Sequence, residues 1–284
     1  MNRFLDRLAY LAAILALLYA GSSYLQFPQQ EESRRPSVRY AEPPPDSRGP
    51  KVAPGVQVVT IQVPEKQPST GTAFAIGGGW WLTARHVADG CDSVSLVTGP
   101  RRAARAQQVI LHPDADIALL GLDLDPEPFP FLTETLRRGQ NGFAIGFPQG
   151  SPGDVHAQLM GRVRMKSVGR YRTDEPILAW AERRRVPDHL PALGGLSGGP
   201  MFNERGQIIG VLVAASERRG RVMTSDPSSV RWLLDQAGLT PDPNARTIDL
   251  AVSNFVGQGE DLREDFRIAK VLCDVKRPSR RRKL

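Results

Sequence analysis

An all-β fold is what this sequence predicts, on three observations. The chain of 284 residues carries 27 glycines and 24 prolines but only 7% aromatic residues, a balance that suits short strands and tight turns better than a helical bundle. From Gly55 onward, short β-rich runs recur between Gly, Pro, Asp and Asn signals. Helical patterns do not alternate with these runs, as βαβ units would require, so a sandwich or barrel is expected and a parallel sheet is not.

The N-terminal element reads differently. Residues 1–27, MNRFLDRLAYLAAILALLYAGSSYLQF, begin with Arg3 and Arg7 and then run from Leu8 to Ala20 without a charge or a proline. Extended to Phe27, the run reaches the length of about 20 residues that a membrane-spanning helix needs. We expect a hydrophobic helix acting as an uncleaved transmembrane anchor. The alternative is a cleaved signal sequence, since Ala20-Gly21-Ser22 offers small residues for a cut. Arg34, Arg35 and Arg39 beyond the run leave the orientation open. Residues 28–54 are polar and proline-rich, a composition that cannot bury enough apolar surface to offset its ordering entropy. An extended linker is expected there.

The strand-like runs follow in order: VQVVTIQV, TGTAFAI, WWLT, SVSLV, AQQVIL, DIALLGL, GFAIGF, AQLMGRVRMKSV, PILAWA and QIIGVLVAA. One helix stands out late in the chain. Val230, Leu233, Leu234 and Ala237 share a face, Pro227 or Ser228 marks its start and Gly238 its stop. The folded domain is therefore placed at 55–240. The 44 residues after Thr240, residues 241–284, are too few for a typical second domain and read as a C-terminal extension.

The formal net charge of +7 is concentrated at the end of that extension. Lys276, Arg277, Arg280, Arg281, Arg282 and Lys283 lie in the final KRPSRRRKL, which leaves the body near neutral. A solvated basic tail is expected and a nucleic-acid partner is not. Cys91 and Cys273 are too few for a disulfide framework or a cysteine zinc site. One bridge and two free buried thiols both fit. No histidine and carboxylate cluster has metal-ligand spacing, and no metal or other cofactor is expected.

The chemistry centres on GGLSGGP, Gly194 to Pro200. Ser197 in this ring of small residues is either a turn residue or a nucleophile cleared for a substrate carbonyl. A serine hydroxyl needs a base to take its proton and a third group to hold that base in the right tautomer. All four histidines, His86, His112, His156 and His189, precede Ser197. This excludes the α/β-hydrolase order of serine, acid, histidine, although Gly195-Leu196-Ser197-Gly198-Gly199 satisfies G-x-S-x-G.

The order His, Asp, Ser remains. TARHV places His86 after an apolar strand, DIALL places Asp116 at the head of another, GFAIGFPQG spans residues 142–150, and GLSGGP completes the set. Together these motifs resemble the chymotrypsin- and trypsin-like serine peptidases, in particular the bacterial type related to the high-temperature-requirement (Deg-type) proteases. The resemblance covers roughly Gly55 to Thr240. It implies two perpendicular six-stranded antiparallel Greek-key β-barrels with the catalytic groups in the cleft between them. It also implies Ser197 as nucleophile, His86 as general base and then acid, and Asp116 as the group that orients the imidazole. The N–H groups of Gly195 and Ser197 would form the oxyanion hole. Val213, Ala214 and Ala215 would wall the primary specificity pocket, with Pro191 near its base. No carboxylate stands at those positions, so a small or medium apolar residue before the scissile bond is expected. His112, His156 and His189 are expected at the surface or in loops.

The function that follows is a serine endopeptidase acting on protein or peptide substrates. It would sit in a bacterial cell envelope, held in the inner membrane with the peptidase domain in the periplasm, or be secreted if the N-terminal segment is cleaved. Two departures from the family bear on this. Leu196 stands where trypsin-type zymogens have aspartate and Deg-type proteases commonly have asparagine, and GVQVV stands at Gly55 where an IVGG-like start would be. Activation by insertion of a new amino terminus is therefore not expected. Leu196 either locks the serine loop by packing or marks an enzyme that a partner must order. A PDZ module, common after the protease in Deg-type chains, does not fit in the residues that follow Thr240. The competing reading is a pseudo-protease that clamps peptides without turnover.

Overall fold

The computed structural model describes residues 38–41, 49–50, 55–132 and 134–275. The anchor expected at 1–27 and the basic tail at 276–284 lie outside the described residues. In chain order the first elements are β1 (Arg39–Ala41), β2 (Val58–Val63), β3 (Ser69–Gly77), β4 (Trp80–Thr83), the short helix α1 (Arg85–Ala88), β5 (Ser93–Gly99), β6 (Arg102–Arg105), β7 (Gln108–Leu111) and β8 (Ala118–Gly121). There follow β9 (Asn141–Gly146), β10 (Gly153–Gly169), β11 (Thr173–Val186), β12 (Pro200–Phe202), β13 (Ile208–Ser216), β14 (Arg221–Ser225), α2 (Pro227–Gln236), α3 (Phe255–Glu264) and β15 (Ile268–Asp274).

The strands form two curled sheets of the chymotrypsin-like kind. The first runs β1-β7-β8-β4-β3-β15-β5-β6. The second runs β11-β14-β13-β12-β9-β10-β2, and a further pairing of β10 with β11 closes a ring of six strands, with β2 added at its edge. The sheets thus hold eight and seven strands among the described residues, where six each were expected. The surplus comes from β1 and β2, which pair in parallel with β7 and β10, and from β15. Parallel edge strands are invisible to a reading that pairs sequence neighbours, because their partners lie far along the chain.

Alternation along the strands divides the core. Trp81, Val94, Leu96, Val109, Leu120 and Val271 fill the first barrel. Ala144, Val155, Leu178, Trp180, Met201 and Leu212 fill the second. The residues that point the other way from the same strands, Phe74, Leu82, Leu119, Phe143, Phe202 and Val211, join Phe129 and Phe255 in a third cluster that draws on both barrels. β3 therefore reads as a continuous apolar run because both its faces are covered: Ala73 and Ala75 face one cluster, Phe74 and Ile76 the other.

The expected helix is α2, with Pro227 in its first turn and the Asp226 side chain accepting from Ser228 N as its cap. Gly238, at φ 67°, follows its end. The C-terminal stretch is not an appendage to the sheets. β15 lies between β3 and β5, and Cys273 on it is bonded to Cys91, closing the question the sequence left open in favour of a disulfide. Part of the expected linker also packs on the first barrel. Val38 is buried, Arg39–Ala41 pairs with β7, and Gly49 N donates to Asp114 Oδ2. Among the described residues no helix is long and apolar enough to cross a membrane.

Candidate active site

β4 ends at Thr83, and one turn of helix presents His86 at the rim of the first barrel. Asp116 precedes β8, the antiparallel neighbour of β4, so the register of that pair brings the two side chains together. His86 Nδ1 lies 2.7 Å from Asp116 Oδ2 and His86 N lies 2.8 Å from Oδ1. With Nδ1–H donating to the carboxylate, Nε2 carries the lone pair that a general base needs. The imidazole is partly exposed while Asp116 is buried.

Ser197 arrives from the second barrel on the loop between β11 and β12. Gly71 is wedged between this loop and α1: a Cβ there would stand 2.5 Å from Val87 Cγ1 and 3.2 Å from Ser197 O. Thr72, next on β3, secures the loop at several points. Its N–H donates to Ser197 O at 2.8 Å, its hydroxyl donates to Gly195 O at 2.8 Å, and the same hydroxyl accepts from Phe147 N. Gly194 O accepts from Gln149 N and Leu196 O accepts from Gly199 N. In a trans peptide the carbonyl and the next N–H point in opposite directions. These bonds therefore fix the aim of Gly195 N–H and Ser197 N–H, and among the described residues neither N–H is spent on an internal acceptor. Gly195 is required by this geometry: its φ is 96° and a Cβ would lie 2.6 Å from Phe147 O.

The structure brings His86 and Asp116 into contact and sets Ser197 beside them, but it does not join serine to histidine. Among the described residues neither Ser197 Oγ nor His86 Nε2 has a hydrogen-bond partner. Such bonds are often long in ligand-free sites and tighten when substrate binds. Leu196 resolves toward packing: it is buried among Leu193, Ala144 and Met201 in the second barrel.

A cavity of about 220 Å³ opens beside Ser197, lined by Leu193, Gly194, Leu196, Leu212, Ala214, Ala215 and Glu217. Ala214 and Ala215, expected to wall the specificity pocket, line this cavity. Val213 does not line the cavity, because strand alternation turns it into the core shared by the two barrels. Pro191 is exposed and off the lining. Glu217, overlooked in the sequence, supplies a carboxylate whose Oε1 accepts from Leu193 N at 3.0 Å. His189 is exposed and His112 lies in the loop between β7 and β8, as expected, although His112 is buried; His156, buried on β10, lies neither at the surface nor in a loop, which corrects its assignment.

Behind Asp116 stand two side chains that the sequence did not single out. Tyr171 Oη donates to Asp116 Oδ1 at 2.9 Å, and Glu175 Oε1 accepts from Asp116 N at 2.7 Å. Burial, reinforced by the charge of Asp116, raises both groups well above their ordinary values. Lys66 donates to His86 O at 2.7 Å and Val87 O at 3.0 Å, and burial lowers its ammonium to about 8. Neither tyrosine nor glutamate lies in a recognisable motif; only their juxtaposition across the barrels marks them.

Two curled sheets with a histidine–aspartate pair and a glycine-rich serine loop between them define a chymotrypsin-like peptidase fold. Residues 71–211 are a trypsin-like peptidase domain, homologous to the DegP/HtrA-type serine proteases. A protein of Marinomonas sp. (strain MWYL1) described as a probable periplasmic serine endoprotease DegP-like is 30% identical over 175 residues, 60% of this chain and 35% of that protein. The serine protease Rv3671c of Mycobacterium tuberculosis (strain ATCC 25618 / H37Rv) is 26% identical over 191 residues, 65% of this chain and 47% of that protein. The chain thus spans between a third and a half of the length of these relatives. The crystal structure of the active form of the Rv3671c protease shares the fold, with a TM-score of 0.51 and 22% identity over 75% of this chain and 96% of that one.

Proposed function

We propose that the domain is a serine endopeptidase that hydrolyses peptide bonds through an acyl-enzyme on Ser197. His86 takes the serine proton and returns it to the leaving amine. Asp116 holds the imidazole in the tautomer that leaves Nε2 free and stabilises its charged form. The N–H groups of Gly195 and Ser197 receive the oxyanion of the tetrahedral intermediate. The observation that carries this reading is the His86–Asp116 contact of 2.7 Å beside a serine loop whose two critical N–H groups are unspent.

The cavity next to Ser197 suits a small or medium apolar side chain before the scissile bond. Leucine and alanine side chains wall it, and Glu217 at its rim is already engaged by Leu193 N–H. The similarity to probable periplasmic DegP-like endoproteases favours a cell-envelope location, with residues 1–27 as membrane anchor or cleaved signal.

The absence of a Ser197–His86 bond favours a second reading, a peptide-binding module that is silent until a partner orders the serine. Covalent labelling of the full chain by a fluorophosphonate probe separates the two. We expect stoichiometric labelling that Ser197→Ala and His86→Ala abolish, together with cleavage of peptides bearing alanine or valine, and not lysine, before the cut. A folded protein that resists the probe would sink the endopeptidase reading and leave the silent module.

A further inference from the structure

We propose that the β10–β11 hairpin of the second barrel is the positioning device for Asp116, with Tyr171 and Glu175 as its two contact residues. The proposal rests on reading His86, Asp116 and Ser197 as a serine-peptidase triad. It assigns a role to two side chains that the hydrolytic chemistry itself does not touch.

β10 and β11 are paired from Asp154↔Val186 to Ser167↔Thr173, and Arg164 and Asp174 form a two-pronged ion pair near the tip. The turn that follows Gly169 delivers Tyr171 to the first barrel. Asp174 N donates to Asp114 O at 3.2 Å, Tyr171 Oη to Asp116 Oδ1 at 2.9 Å, and Asp116 N to Glu175 Oε1 at 2.7 Å. Both the carboxylate and the backbone of Asp116 are therefore held by the opposite barrel. Asp116, Tyr171 and Glu175 are all buried, where such bonds are not shared with water.

The Tyr171 ring cannot swing away. The Arg85 guanidinium lies 4.3 Å from its centroid and that of Arg170 lies 5.1 Å away. Both arginines also reach Asp89, at 3.1 and 3.2 Å, and Arg85 donates to the carbonyls of His112 and Pro113. Tyr171 occupies Oδ1 together with His86 N, which leaves Oδ2 to His86 Nδ1 and sets the plane of the carboxylate. The charged groups facing this cluster are Arg85, Arg170, Lys66 and Asp89, with His86 on the open side.

Glu175 makes little sense as a stabilising residue. Among the described residues its Oε2 is buried without a partner, as is the hydroxyl of Thr173 on the same strand. An unsatisfied buried polar group costs stability, and a hydrophobic residue would avoid that cost. What glutamate supplies is an uncharged acceptor for Asp116 N–H. Burial and the neighbouring carboxylate favour its protonated form, which keeps a second negative charge away from the one that must balance the imidazolium.

The test is the second-order rate of Ser197 modification by a fluorophosphonate probe, measured against pH on the full chain with melting temperature alongside. Tyr171→Phe removes one donor from Asp116, so the carboxylate holds the imidazolium more tightly. We expect the rate to fall about tenfold, the scale of one hydrogen bond to a charged group, and the acid limb of the pH profile to move up by about half a unit. Glu175→Ala should lose rate several-fold, and Glu175→Gln, which keeps an amide oxygen for Asp116 N–H, should recover most of it. Unchanged rate and acid limb in Tyr171→Phe, or Glu175→Gln as slow as Glu175→Ala, overturns the proposal. Should Tyr171→Phe not fold, the glutamate pair decides alone.

Failure of the triad reading is visible separately, as a wild type that the probe does not modify. In that case the downfield NMR resonance of His86 Nδ1–H in the wild type, Tyr171→Phe and both Glu175 variants decides. A resonance displaced by Tyr171→Phe, or displaced by Glu175→Ala and restored by Glu175→Gln, supports the positioning role. One that none of them moves overturns it.

Discussion

His112 and Glu175 are buried titratable side chains whose settings oppose one another. The His112 ring accepts from Asp114 N and Ala115 N through Nδ1, lies tilted with its centroid 4.4 Å from that of Trp232, and is lowered to about 3 by burial and by Arg85. Its folded value lies below the unfolded 6.5, so the unfolded chain binds the extra proton. Stability is fully present above that pH and is lost as pH falls from there toward 3, by up to about 1.4 kcal/mol per pH unit. Glu175 runs the other way. Its folded value is raised above the unfolded 4.5, so its contribution is full below that pH and declines as pH rises. Urea unfolding of wild type and Glu175→Gln at several pH values between about 4 and 8 reads both effects. In the wild type the two effects oppose one another between about pH 4.5 and 6.5; the glutamine variant, which keeps only that of His112, should weaken on the acid side of pH 6.5 and be the more stable protein at neutral pH, with its advantage gone at pH 4. A glutamine variant with equal stability at pH 4 and 6.5, or one no better than the wild type at pH 7, would refute the assignment of these charges. Neither group was legible in the sequence, because a histidine between strands and a glutamate in a strand carry no mark of burial; only long-range packing sets it.

Among the elements, the loop that carries Ser197 shows what the sequence could and could not convey. The glycines were legible because each answers a local demand. Gly195 needs a positive φ and Gly198, at φ 86°, lies against Thr72 O, where a Cβ would collide. β4, β8, β9 and α2 were legible for the same reason, each having its own period and its own stops. Leu196 was not, since its two readings differ only in what lies beneath it. The structure puts it in the second barrel's core. Leu196→Ala should cost about 2–5 kcal/mol, as for other buried leucines. It should also slow Ser197 labelling, since the loosened loop no longer aims Ser197 N–H. Thermal melts and labelling rates on the same preparation check both. A variant that melts with the wild type, or one that melts lower and labels as fast, would show that the bonds from Thr72 and Gln149 hold the loop unaided.

At the scale of the whole molecule, the part least legible in sequence is the part that closes the fold. Nothing in IAKVLCD reveals its partners, because β3 and β5 lie nearly two hundred residues earlier and register between such distant segments depends on the assembled barrel. Two arginines on either side of the last turn bind the C-terminal segment to the rest. Arg263 pairs with Asp154 at 2.7 and 3.1 Å, reaching the second barrel, while the buried Arg267 donates to the carbonyls of Glu127 and Pro128 in the connection between barrels. The Cys91–Cys273 bridge then secures β15 across a sequence separation of 182 residues. A loop of that length removes much entropy from the unfolded chain, so the bridge should contribute about 2–5 kcal/mol. Cys273→Ser should lower the melting temperature by several degrees. Reductant should bring the wild type down to the same value and leave the variant where it is. Ser197 labelling of the folded variant should persist at ambient temperature, because Thr72 and the serine loop are held by hydrogen bonds that do not pass through the bridge. Equal melting of wild type and variant would instead show that strand pairing and the two arginines close the barrel without it, and loss of labelling in a folded variant would show that β15 transmits its position through β3 to the active site.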